Sequence, residues 1–83
     1  MSKTRAKVLD DMRANPKNIR FSDLCRVCDH YFGEPKQSGT SHRVYSVKLR
    51  GPPINIQEGP DGKAWGYQVK QVLKALTDLG IKE

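Results

Sequence analysis

The 83-residue chain has no long hydrophobic run, and hydrophobic residues are only 36% of it. No stretch approaches the roughly 20 apolar residues that a membrane-spanning helix needs. The first residues, MSKTR, lack the apolar segment of a secretory signal, so we expect a cytoplasmic protein. A chain of this length forms one domain with a modest core. Any chemistry is therefore expected on an open surface, which suits a polymer substrate better than a small molecule.

Cysteine is scarce, with two residues in the chain. Cys25 and Cys28 have the CxxC spacing of redox and zinc motifs, but both fall on the apolar side of a predicted helix. A zinc site needs further ligands, and only His30, His42 and Asp29 are on offer. We therefore interpret the cysteines as small core residues rather than as a metal or redox site, and we expect no metal or cofactor. His30 is interpreted as an exposed residue near the end of that helix.

Acidic residues are outnumbered. Nine Asp and Glu against 15 Lys and Arg give a formal net charge of +6. Such an excess attracts polyanions and speeds encounter with them. The charge favours a nucleic acid or an acidic protein as partner, and the alternative is that it serves solubility alone.

The N-terminal segment has few apolar residues for a helix. Residues 3–14 carry Val8, Leu9 and Met12 at helical spacing and little else that is apolar. Pro16 ends the segment, because the residue before a proline is pushed away from helical geometry. We expect a short amphipathic helix that docks weakly or frays.

Two further helices are more strongly marked. Residues 21–32 place their apolar side chains on one helical face, with Ser22 as the predicted N-cap and Gly33 as the end. The last helix is predicted from residue 66 or 67 to residue 79, with Gly80 in the left-handed position after it. Its predicted buried stripe consists of Val69, Val72, Leu73, Leu76 and Leu79.

Between these helices the pattern changes to strands over residues 36–38, 42–49 and 54–57. Glycine and proline at residues 51–53 and 59–62 predict turns. In the middle strand one face carries His42, Val44 and Ser46, and the other carries Tyr45, Val47 and Leu49. The order predicts an α+β fold, in which helices cover one face of a three-stranded antiparallel sheet and the other face stays open and polar.

His42 opens the middle strand on this open face. An imidazole can take or give a proton near neutral pH, and RNA carries its own nucleophile in the 2′-hydroxyl. Cations can bind a phosphate and stabilise the charge that develops on it, and those near His42 are Lys36, Arg43, Lys48 and Arg50. One base with such cations suffices for slow RNA cleavage without metal. The alternative from spacing alone is a hydrogen-bonded surface histidine.

Two aromatic residues, Trp65 and Tyr67, precede or begin the last helix. One interpretation is that they anchor the loop on the core, since aromatic rings usually supply buried area. The functional alternative for these aromatic residues, Trp65 above all, is base stacking on RNA, and contact with a protein partner is a third interpretation.

Three segments resemble the HicA toxins of bacterial and archaeal toxin–antitoxin pairs: NPKNIRFSDL at 15–24, QSGTSHRVY at 37–45 and YQVKQVL at 67–73. The resemblance extends over residues 15–80. It implies a double-stranded-RNA-binding-domain-like arrangement, α-β-β-β-α. We assign this domain to residues 18–83, and residues 1–17 form the short N-terminal helix and linker that precede it.

The resemblance also implies a function and a site. HicA toxins cleave mRNA, and their activity depends on the histidine of a Gly-Ser-His motif, which corresponds here to Gly39, Ser41 and His42, with Tyr45 as the aromatic that follows and a candidate for base stacking. Thr40 interrupts the motif. The implied partner is a HicB-type antitoxin that covers the His42 face. Two alternatives to a nuclease stay open: a non-catalytic RNA-binding module of the same fold, and a protein whose basic surface receives an acidic partner.

Overall fold

The structure is a computed structural model that describes residues 4–38, 42–46 and 53–80. Its elements are α1 (Arg5–Ala14), α2 (Phe21–Phe32), β1 (Lys36–Ser38), β2 (His42–Tyr45), β3 (Ile54–Gln57), a 3-10 turn (Pro60–Gly62) and α3 (Gly66–Asp78). The predicted α+β class is confirmed. Within the described ranges, no helix is long and apolar enough to cross a membrane.

The strands form one antiparallel sheet in the order β1-β2-β3. Lys36 is opposite Val44, and His42 is opposite Ser38 on one side and Gln57 on the other. Directly paired residues share a face of the sheet, and faces alternate along each strand. We call one face the open sheet face, and it carries Lys36, His42, Val44, Asn55 and Gln57. The opposite face, which the helices cover, carries Arg43, Tyr45, Ile54 and Ile56.

The N-terminal helix is fully packed. Thr4 caps it, since its Oγ1 accepts a hydrogen bond from the Lys7 N–H at 3.2 Å. Val8, Leu9 and Met12 are each at most 1% exposed and lie in one core cluster with the buried residues of α2 and α3. The expectation that this helix docks weakly is wrong, because its single apolar stripe meets both other helices at once.

The ends of α2 differ in how well they were predicted. Arg20, not Ser22, is the N-cap, and no side chain of the described residues caps this end. Arg20 is extended because it forms a bridge with Lys63, so the helix begins at Phe21 and Ser22 lies inside its first turn. Gly33 ends α2 with a φ of 88°, a left-handed value that glycine adopts without strain, as predicted.

The helix α3 also agrees with its prediction. It starts at Gly66 and ends at Asp78, and Gly80 follows with a φ of 81°. Val69, Val72 and Leu76 are buried, whereas Leu73 and Leu79 pack against the core from its edge. Residues 47–49, which were predicted to extend the middle strand, and residues 51 and 52 of the following turn lie outside the described ranges.

Both cysteines are buried core residues, as predicted. Burial raises the pKa of the Cys25 thiol from 9.0 to about 11 and also raises the pKa of the Cys28 thiol. No group of three or more His, Cys, Asp or Glu in the described part of the chain is placed to hold a metal ion.

We expect these thiols to resist alkylation in the folded protein. The thiolate is the reactive form, so iodoacetamide at pH 8 should modify both cysteines at least about tenfold more slowly in buffer than in urea. The unfolded thiols lose protons near 9.0, whereas the folded Cys25 keeps its proton to about 11. The unfolded state therefore binds fewer protons in that window, and the free energy of unfolding should fall as pH rises from 9.0 to about 11. Mass spectrometry measures the alkylation rates, and urea titrations across this pH range measure the free energy of unfolding. Equal alkylation rates in buffer and urea would contradict the burial.

Candidate functional site

His42 is exposed at the start of β2 on the open sheet face. Gln57 is its paired neighbour on β3, and both point away from the helices. No helix covers this face in the described part of the chain, since Lys36, His42 and Asn55 are all exposed. An extended polymer lying across the sheet therefore has direct access to the imidazole.

Lys36 shares the open sheet face with His42. It is opposite Val44, two residues along β2, which makes it a diagonal neighbour of the histidine. Diagonal neighbours of an antiparallel pair lie roughly 7–8 Å apart, a gap that a lysine side chain spans easily. A phosphate held by the Lys36 ammonium can thus lie beside the His42 imidazole. The prediction that both residues belong to one site requires this proximity.

Arg43 does not join His42, although the two are adjacent in sequence. Alternation places it on the helix-covered face, where its Nη1 lies 3.7 Å from Oδ1 of Asp29 on α2. A hydrogen bond with Tyr45 is the main cause of a raised pKa for Arg43. The prediction grouped Arg43 with His42 as a phosphate ligand, and the structure puts the two on opposite faces.

Tyr45 is a core residue, and its prediction as a base-stacking residue is wrong. Its side chain is 0% exposed, and its ring packs against Phe32 with centroids 6.1 Å apart. The hydroxyl donates a hydrogen bond to Oδ1 of Asp29 at 2.6 Å. Burial, followed by this hydrogen bond, raises the pKa of the Tyr45 hydroxyl. The residue fastens β2 to α2, directly behind the face that carries His42.

Trp65 and Tyr67, in contrast, are at the surface. They are 41% and 61% exposed, which is more than a core anchor would leave. Their ring centroids are 6.4 Å apart and the planes are tilted by 41°, so neither ring stacks flat on the other. The structure therefore keeps Trp65 available for the base-stacking role that was one of its predicted alternatives.

Gln68 connects α3 to the strand beside His42, and the sequence prediction missed it. Its side chain is only 6% exposed. The Oε1 atom accepts a hydrogen bond from the Gln57 N–H at 2.9 Å, and Nε2 donates to the Tyr67 hydroxyl at 3.5 Å. A signal was present, because residue 68 is one helical turn before the buried Val72 on the same stripe. A polar residue in a buried stripe indicates a specific hydrogen bond.

Two other polar residues were not predicted as part of the site. Asn55 and Gln57 lie on the open sheet face with His42. Their alternation with the buried Ile54 and Ile56 was the signal that places them there. Four residues predicted for the site, Gly39, Ser41, Lys48 and Arg50, lie outside the described ranges and stay predictions.

No family model, no curated protein and no solved structure matches this chain.

Proposed function

We propose that the chain is a metal-independent endoribonuclease of the HicA type, the toxin of a toxin–antitoxin pair, with His42 as its general acid or base. The observation that carries the proposal is an exposed histidine with a diagonal lysine, Lys36, on a sheet face that the described helices leave uncovered. The order of α2, three strands and α3 supports a double-stranded-RNA-binding-domain-like arrangement.

The reaction uses a nucleophile that the substrate supplies. The 2′-oxygen attacks the adjacent phosphorus while the imidazole of His42 accepts the 2′-hydroxyl proton, and the bond from phosphorus to the 5′-oxygen breaks. The leaving 5′-oxygen takes a proton from the imidazolium or from water. The products are a 2′,3′-cyclic phosphate and a 5′-hydroxyl. Lys36 stabilises the negative charge that develops on the phosphoryl oxygens.

Analysis of the product ends tests this chemistry. Purified protein and a single-stranded RNA of defined sequence should give 2′,3′-cyclic or 2′/3′-monophosphate ends by mass spectrometry, at the same rate with EDTA as with Mg²⁺. The matched control is the same RNA with one 2′-deoxynucleotide 5′ to the cleaved bond, which should stay intact there. Products with 3′-hydroxyl ends, or cleavage of the deoxy control, would contradict the mechanism.

The proposed partner is an acidic HicB-type antitoxin in the cytoplasm that covers the open sheet face. The net charge of +6 and the exposure of Lys36 and His42 support such a partner, because a protein covering this face blocks the polymer and the imidazole together. An adjacent reading frame for an acidic protein would support the pairing, and co-purification of the two chains without RNA cleavage is the expected result.

The second candidate function is a non-catalytic RNA-binding module. The exposure of Trp65 and Tyr67 favours it, because base stacking on aromatic rings needs no acid or base. The two candidates differ in what His42 does, and its replacement separates them.

A further inference from the structure

A groove lies beside the N-terminus of α3, apart from the open sheet face. It has a volume of about 540 Å³ and is bounded by the 3-10 turn, the first turn of α3 and the segment that follows α1. Its side chains include three lysines, Lys17, Lys63 and Lys70, together with both exposed aromatic residues, Trp65 and Tyr67. Neither His42 nor Lys36 lines it.

The charge of this groove is positive. Among the described residues that line it, Asp61 is the one acidic residue, against the three lysines. The first turn of α3 contains no acidic residue, and the helix dipole adds partial positive charge at the same place. The groove therefore suits an anionic ligand, such as the phosphate backbone of a nucleic acid.

The Trp65 ring is held in place by the loop before it. The backbone closes tightly there, with the Gly59 N–H donating to the Lys63 carbonyl at 2.7 Å. A Cβ at Gly59 would lie 3.1 Å from Cε2 of Trp65 and 2.9 Å from the Lys63 oxygen. Only glycine lets the backbone pack this closely on the indole. One side of the ring thus rests on the loop and the exposed part faces the groove.

Gly66 has a similar effect on Lys17. A Cβ on Gly66 would lie 3.1 Å from Cγ of Lys17. The absence of a side chain at the start of α3 therefore allows the segment after α1 to approach, and this approach adds a third lysine to the groove. The contact at Gly66 thus brings together residues that are distant in sequence, whereas the contact at Gly59 is local.

We propose that this groove binds a single-stranded segment of nucleic acid, with bases stacked on Trp65 and Tyr67 and phosphates on the lysines. Exposed aromatic rings bind unstacked bases, which a duplex does not offer. Gln68 hydrogen-bonds both Tyr67 and the backbone of Gln57, the cross-strand neighbour of His42, so a hydrogen-bonded path connects the groove to the strand beside His42. The identification of the strand as RNA rests on the proposed function, whereas the stacking and charge do not.

The test uses the intrinsic fluorescence of Trp65, the only tryptophan in the chain. The titrant is a ten-nucleotide deoxythymidine strand at low salt, which has no 2′-hydroxyl and so cannot be cleaved by the proposed mechanism. Saturable quenching of the fluorescence is expected, and a duplex of the same length should quench at least about tenfold more weakly. Binding without quenching, or equal quenching by the duplex, would overturn the proposal.

Variants locate the binding. Measured by anisotropy of a labelled strand, Trp65→Ala should weaken binding about tenfold and Trp65→Phe should recover part of that loss. Lys70→Gln should weaken it severalfold and reduce its salt dependence. Lys74→Gln is the matched control, because Lys74 is exposed on the same helix one turn away and does not line the groove. Equal effects of Lys70→Gln and Lys74→Gln would refute the groove as the site.

The failures of the two proposals are distinguishable. Strand binding that needs Trp65, by a protein that cleaves no RNA, would support the groove and remove the nuclease. RNA cleavage without strand binding to the groove would support the nuclease and remove the groove as a binding site. Quenching by an acidic protein partner alone, with none by the deoxythymidine strand, would overturn the nucleic-acid proposal in favour of a protein contact.

Discussion

His42→Ala is expected to lower the rate of RNA cleavage by at least about 100-fold, because general acid–base catalysis contributes roughly 10²–10⁴-fold. The imidazole is exposed and lies on the open sheet face, so no core packing is lost with it. The thermal unfolding midpoint should therefore stay close to that of the wild type. The measurement is the initial cleavage rate of a single-stranded RNA, with unfolding followed by circular dichroism on the same samples.

The chain offers a matched control in its other histidine. His30 is exposed near the end of α2, which lies on the side of the sheet opposite the open sheet face, and His30→Ala should leave the cleavage rate within about twofold of the wild type. Lys36→Gln should give an intermediate loss of about tenfold, since it removes charge stabilisation but leaves the proton transfer intact. His42→Gln should be as impaired as His42→Ala, because a glutamine keeps hydrogen bonding but cannot exchange a proton.

The result decides between the two candidate functions. A nuclease loses cleavage and cellular toxicity in His42→Ala while it keeps most of its RNA affinity. Equal toxicity of the wild type and of His42→Ala would favour the RNA-binding module. Loss of cleavage in His30→Ala to the same degree would show that the measured activity does not come from the open sheet face.

The position of His42 was predictable because it depends on a local pattern. Side chains alternate between the two faces of a strand, so the sequence alone predicts His42 and Tyr45 on opposite faces of the sheet. The pairing register of the strands then shows which residues of β1 and β3 lie on each face. The same alternation separates His42 from Arg43. The prediction that Arg43 binds phosphate with His42 rested on their adjacency in sequence and ignored this alternation. The prediction that Tyr45 stacks on bases ignored it as well.

Other parts of the structure depend on long-range contacts that no local pattern contains. Lys17 packs closely against Gly66 at the start of α3, and the hydrogen bond from Gln57 to Gln68 joins a strand edge to a helix. Periodicity predicts which side of each element is apolar, but not which partner that side meets. This is why the groove beside α3 is visible only in the folded chain.

The packing of α1 is the clearest example of a long-range contact that the local pattern does not contain. Leu9→Ala in this helix is expected to lower the free energy of unfolding by about 2–5 kcal/mol. Leu9 is fully buried between elements rather than at a helix end, so its removal leaves a cavity that neighbouring side chains cannot fill without moving. Domains of this size are stable by only about 4–12 kcal/mol, so the loss is a large part of the total. Urea titrations followed by circular dichroism measure it.

Lys7→Ala is the control for this change, because it lies on the same helix but is exposed. Its ion pair with Asp11, 3.2 Å long, is at the surface, and such pairs contribute at most about 1 kcal/mol. Similar small losses for both variants would mean that α1 docks weakly, as its composition alone suggested. A large loss for Leu9→Ala, with one cooperative transition, means that three apolar residues suffice to make α1 part of the core. In that case α1 also holds α2 and α3 in position behind the sheet. Leu9→Ala should then reduce RNA cleavage as the temperature approaches the lowered unfolding midpoint of this variant, although every residue of the open sheet face is unchanged.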